Sequence, residues 1–197
     1  YFREKLNQSI EFIKKEFINK NELLGSAFDA DSDGEEGKYY VYTYNEVKAI
    51  KDIKNYFEIS EKGNWENKII LVEKKKPTKE VLDKLLGIRL KKNKPFFDDK
   101  TQLDLNCLWI SGLISAHEIL PQKNYLKLAE NFFLTIEEKY LKKDIQHSYS
   151  KDVVFLEDYA FLINALNDLS DITMKFKYTE LAKKLCLKTM DKFYENK

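Results

Sequence analysis

The chain has 197 residues, and 34 Lys and Arg stand against 33 Asp and Glu, for a formal net charge of +1. That balance speaks against a nucleic-acid binder working through bulk electrostatics and against an acidic disordered tail. Six glycines and three prolines suit long helices, and 12 Tyr, 13 Phe and 2 Trp supply a deep aromatic core or an aromatic-lined pocket. Residues 2 to 20 read as a charged amphipathic helix, with Phe2, Leu6, Ile10, Ile13 and Phe17 at helical spacing. Residues 25 to 44, GSAFDADSDGEEGKYYVYTY, are the least helical, with three of the six glycines and a dense aromatic tail. A tight acidic turn and a short β-like insertion near residues 38–44 are expected there.

Thr43 is placed to cap the next helix, with Glu46 as its reciprocal partner, out to about residue 57. A loop with an extended piece at Ile69–Val72 precedes a Thr78-capped helix to about residue 92, with Val81, Leu82, Leu85 and Leu86 inward. Four longer helices follow: Leu103–Leu120, Asn124–Tyr140, Val153 to about Ser170, and Met174–Tyr194, with a turn at 147–152. Short connections make them antiparallel hairpins, the units of a bundle, a solenoid or a closed α/α toroid. No run approaches the roughly 18 apolar residues of a spanning helix, and no signal peptide is visible. Cys107 and Cys186 form no CxxC pair, so two buried thiols in a reducing cytoplasm are expected, with no cofactor and no metal.

Asp29, Asp31, Asp33 and Gly34 match positions 1, 3, 5 and 6 of a calcium loop at 29–40, but Tyr40 stands where the bidentate Glu belongs. The alternatives are an acidic turn whose carboxylates satisfy backbone amides, or a carboxylate-lined pocket wall. Asp98 and Asp99 read either as ordinary helix-start acids or as acids at a pocket mouth. Glu157 and Asp158 sit in the apolar run VVFLEDYAFLINAL, where a buried acid needs a partner, and Tyr159 faces inward. His117 shares the apolar face of its helix, as a core histidine does, and His147 falls in a solvent-facing turn. Their spacing carries no zinc motif. Trp65 either edges a pocket or anchors its loop, Lys74 to Lys76 form a solvated patch, and Trp109 belongs to the core.

Four segments, taken together, resemble one family. SAFDADSDGEEGKYYVYT, EKGNWENK, PFFDDK and VFLEDYAFLINAL occur in the order of the motifs of the YyaL/spermatogenesis-associated protein 20 family of thioredoxin-domain-containing proteins. The resemblance implies an all-α fold, part of an α/α toroid of the six-hairpin glycosidase type. About seven predicted helices would make roughly half of six hairpins, in a single helical domain over residues 1–197. The family's thioredoxin-like domain, with its cysteine motif, has no counterpart in these residues and is a possible partner. The matched polar positions are Asp29, Asp31, Glu35, Glu36, Lys38, Tyr40, Asp98, Asp99, Lys100, Asn106, Glu157, Asp158 and Tyr159.

The family's WNG triplet is Leu105, Asn106 and Cys107 here, so its Trp is lost. The implied function is binding or conversion of a carbohydrate-like small molecule in an acidic and aromatic cavity. Conversion would be epimerase- or glycosidase-like, with Asp29, Asp31, Asp98, Asp99, Glu157 and Asp158 as acid/base groups. Glu35, Glu36, Lys38, Tyr40, Trp65, Lys100, Asn106 and Tyr159 would hold the substrate. The alternatives are a non-catalytic scaffold or protein-interaction module, and a calcium loop at 29–40. Neither a nucleic acid nor a membrane is expected as partner.

Overall fold

The computed structural model describes residues 1–141, 145–148 and 153–194. The fold is mostly helical, with two two-stranded sheets. The chain divides into two compact units, residues 1–27 with 98–197, and residues 28–97. Residues 149–152 of the turn predicted at 147–152 lie outside the described residues. No helix among the described residues is long and apolar enough to cross a membrane.

The first unit contains α1 (Phe2–Glu16), α5 (Leu103–Ile119), α6 (Tyr125–Tyr140), α7 (Leu156–Thr173) and α8 (Phe176–Phe193). Helices α5 to α8 fall within a few residues of the periodicity reading. Strong apolar spacing marks a helix well, and Pro121 separates α5 from α6. Helix α5 packs against α6 and α7, and α7 packs against α8. Ile110, Leu113, Phe133, Ile136, Leu162, Leu166 and Leu169 form the dry centre. Trp109 meets Phe132 edge-on at 6.3 Å between centroids, and Phe133 meets Tyr178 in the same way at 5.2 Å. Cys107 lies in this core, whereas Cys186 is exposed, against the expectation that both are buried.

The second unit holds β2 (Asp31–Ser32), β3 (Glu35–Glu36), α2 (Tyr44–Val47), α3 (Ile53–Tyr56) and α4 (Lys79–Arg89). Its core is Tyr42, Val47, Ile50, Ile53, Phe57, Ile69, Val81 and Leu85. β1 (Ala27–Phe28) pairs with β4 (Phe97–Asp98), where the chain passes from one unit to the other.

The expected strand near 38–44 is not formed. The Tyr40 and Val41 N–H groups both donate to the Gly37 carbonyl, which makes a turn, and only Tyr42 bridges to Ile69. The β character lies earlier, in the acidic run itself. The single helix expected from 43 to 57 is two short ones, because Asp52 takes a left-handed φ of 60° between them. The Thr43 capping box forms as read, with the Glu46 N–H on the Thr43 hydroxyl and the Glu46 carboxylate on the Thr43 N–H. Thr78 caps α4, but its inward face is Val81, Leu85 and partly buried Ile88. Leu82 and Leu86 are exposed, since this short helix covers a small core.

Candidate functional site

The acidic motif folds as a β-hairpin. Asp31 pairs with Glu36 and Ser32 with Glu35, around an Asp33–Gly34 turn in which both residues have positive φ. That is the backbone twist a two-residue hairpin needs, and Asp-Gly adopts it readily. The neighbouring loop turns at Glu66 and Asn67, again with positive φ. Asn64 holds Ile70 through both side-chain atoms, at 2.8 and 2.9 Å. At Gly63 a Cβ would lie 2.2 Å from the Lys68 carbonyl oxygen, so only glycine fits. The Trp65 ring lies against Gly37, in the anchoring role, and ties the two loops together.

These loops carry charged groups to one cavity of about 440 Å³ within the second unit. Glu35 binds Lys68, and also Lys38 at 3.2 Å. Lys38 lies 3.5 Å from Asp33, whose other oxygen accepts from the Asn93 amide at 2.8 Å. Lys92 donates to the Val41 carbonyl at 2.6 Å and lies 3.2 Å from Glu46. Its ammonium sits over the Tyr42 ring, 4.9 Å from the centroid. Hydrogen bonds from Lys68 and Lys38 hold the Glu35 carboxyl below its ordinary range. Burial pushes Glu46 the other way, but the Thr43 N–H and Lys92 outweigh it, and its carboxyl is lowered too. Glu35 and Glu46 are therefore kept as anions that accept hydrogen bonds.

A second polar cluster forms in the first unit, at the start of α5 and α7. Asp158 is wholly buried, and its two oxygens take His147 Nδ1 at 2.8 Å and the Phe155 N–H at 2.8 Å. His147 Nε2 lies 2.9 Å from the Gln102 amide nitrogen. The backbone of His147 joins the same helices, donating to Val153 and accepting from Leu103. Asp104 stands 4.0 Å from Nδ1, and its Oδ1 accepts the Leu105 N–H at 2.8 Å. Asp104, His147, Phe155 and Glu157 line a cavity of about 280 Å³. The Cys107 thiol beneath is raised well above its ordinary value, by burial first and then by the charges of Asp104 and Asp158. It is an inert core group.

The sequence candidates thus separate. Glu35 and Lys38 meet on the first cavity, and Glu157 borders the second beside buried Asp158. Asp29 is exposed and accepts the Asp31 N–H at 3.3 Å, and Asp31, Glu36 and Tyr40 are exposed too. Asp98 pairs with Lys100 at 2.9 Å, which lowers its carboxyl. Neither Asp98 nor exposed Asp99 caps α5, whose cap is Gln102. Asn106 is fully buried, and its amide is engaged by Leu24 and Gln102, so it ties α5 to the chain before β1 and offers nothing to a ligand. Tyr159 is 1% exposed and packs on Phe193, a core ring and not a cavity wall.

His147 is the clearest departure from the sequence reading. It is held between two helices, not turned to solvent. His117, half-buried late in α5, borders a larger cavity of about 560 Å³ with Lys123, Lys127, Glu130 and Tyr178. Asp104, Gln102 and Lys92 carry no motif that singles them out, while Glu46 is legible only as the capping partner of Thr43 and Lys68 only as the end of the EKGNWENK segment; their partners bring them to the two cavities. No protein-family model matches the chain, and no curated protein matches it.

Proposed function

We propose that the second unit binds a polar, carbohydrate-like small molecule in the cavity of Glu35, Lys38, Thr43, Glu46, Lys68, Lys92 and Asn93. The observation that carries the reading is the pairing of the charges on that cavity. Ammonium donors and carboxylate acceptors alternate around a volume of about 440 Å³, at the lower end of the range for small-molecule sites. Each sugar hydroxyl both donates and accepts, so a wall of neutralised ion pairs serves it better than a wall of one sign. With Glu35 and Glu46 held ionised, the activity proposed here is binding, not proton donation to a leaving group. Glu35 and Lys38 are also positions that the resemblance carries over. The packed consecutive pairs α5–α6 and α7–α8 suit the helical hairpins of a partial toroid.

The test is titration of the full chain with a panel of neutral sugars, amino sugars and uronic acids, followed by amide NMR shifts and calorimetry. Binding should move the signals of Thr43, Lys68 and Lys92, and Lys68→Ala should weaken it about tenfold or more. A panel that leaves those signals unmoved would sink the reading. A second reading, a non-catalytic module that docks a partner such as a thioredoxin-like domain, is favoured by the exposed Tyr1, Phe2, Met174 and Phe176. It predicts that a thioredoxin-like domain, not a sugar, shifts the signals of those residues.

A further inference from the structure

The cluster at the start of α5 and α7 supports an inference independent of the sugar cavity. We infer that Asp104, His147 and Asp158 form a site for a divalent cation of the zinc or manganese class, with open coordination positions facing the cavity of Phe155 and Glu157.

One ligand atom from each of the three side chains lies within 4.8 Å of the others. An ion with bonds of about 2.1 Å separates neighbouring ligand atoms by about 3.0 to 3.4 Å. Nδ1 and the Asp158 oxygen are slightly closer than that, at 2.8 Å, and the Asp104 oxygen is slightly farther, at 4.0 Å. Small rotations bring all three onto one centre. The groups that would support a metal site are also within reach. Asp158 has its second oxygen fixed by the Phe155 N–H, and the far nitrogen of His147 faces the Gln102 amide. Two carboxylates and a neutral imidazole match a doubly charged ion, and mixed oxygen and nitrogen ligands favour zinc or manganese over calcium. Three protein ligands beside a cavity of about 280 Å³ leave space for water or a substrate atom.

The same contacts define the competing state. Without an ion, Nδ1–H donates to Asp158 and Nε2 accepts from the Gln102 amide. With the ion on Nδ1, the imidazole proton moves to Nε2, and the Gln102 amide flips to present its carbonyl oxygen. Metal binding and the His147 tautomer are therefore one event, visible in the ring nitrogen signals.

The experiment titrates the untagged full chain with Zn²⁺, Mn²⁺ and Co²⁺, using calorimetry and, for the first, nitrogen-15 spectra of the imidazole. The expected result is saturable binding of one ion per chain, with the His147 proton transferred from Nδ1 to Nε2. Asp104→Asn should weaken binding at least about tenfold. Asp104 is partly exposed, and this variant keeps the polar side chain at the start of α5. His147→Gln should remove the affinity, with circular dichroism confirming that the chain is folded. No saturable binding at millimolar metal overturns the inference, as does affinity unchanged in Asp104→Asn, or an Nδ1 proton retained at saturation. Sugar binding is read on Lys68 and Lys92 in the other unit, so either result stands without the other.

Discussion

Acidic side chains in the two units are compensated in opposite ways. In the hairpin unit Glu35, Asp33 and Glu46 lie near lysine ammonium groups on a partly exposed hairpin and the short α2. In the helical unit Asp158 is sealed from solvent and compensated by an imidazole and a backbone N–H. Exposed ion pairs in water contribute little to stability, because water competes for both partners and salt screens them. A buried carboxylate has no such alternative, and losing its partner leaves a charge stranded. The hairpin unit therefore offers charges that a ligand can rearrange at low cost. The helical unit holds a cluster whose groups are locked by the helix starts.

Six substitutions break or sharpen this contrast. The largest effect is expected for Asp158→Ala, which strands His147 and the Phe155 N–H. It should cost about 2 to 4 kcal/mol in urea unfolding, from the two donors left without an acceptor. Glu35→Ala should leave the same unfolding curve unmoved, and equal effects would abolish the comparison. Next comes Gly63→Ala, where the added Cβ meets the Lys68 carbonyl at a φ of 68°. It should cost about 2 to 3 kcal/mol and disturb the Lys68 side of the cavity, while Gly34→Ala, with no atom within 4 Å of the new Cβ, should cost about 1 kcal/mol. Thermal melts of the pair measure the difference.

Thr43→Ala removes the cap of α2 and should cost about 1 kcal/mol, with amide exchange speeding up in Tyr44–Val47. The smallest effect is on pH dependence. The Glu46 carboxyl is held below its ordinary 4.5, so its pairing stabilises the folded chain above pH 4.5 and fades as acid carries the pH through the lowered folded value. Glu46→Gln should flatten that part of a stability-against-pH curve. A curve that falls as before would assign the acid sensitivity to other carboxylates.

How much of this was legible in the sequence depended on the range of the interaction. Helices α5 to α8 could be read because apolar spacing repeats over many turns, and the Thr43–Glu46 box because its contacts close within three residues. The break at Asp52 and the turn at Tyr39–Tyr40 were missed. Short segments with mixed aromatic and polar residues fit a helix, a strand or a turn about equally, and packing on Val47 and Ile69 decides among them. The acids of the motif loop and Lys38 were visible, but the distant lysine partners of Glu35 and Glu46 were not, since Lys68 lies 33 residues from Glu35 and Lys92 lies 46 residues from Glu46.

Local chemistry along the chain thus determined the helical class, the long helices, the Asp-Gly turn and the presence of acids without an obvious counter-charge. Tertiary structure alone decided which acids matter and how. It drew Asn106 and Tyr159 into packing and tied Asp98 to Lys100. It also placed His147 between Gln102, 45 residues before it, and Asp158, 11 residues after it. A hydrogen bond or a ligand set depends on the position of atoms in space, and no period or motif of this sequence encodes contacts at those separations. That is why the histidine expected in solvent lies at the centre of a polar cluster locked between two helix starts.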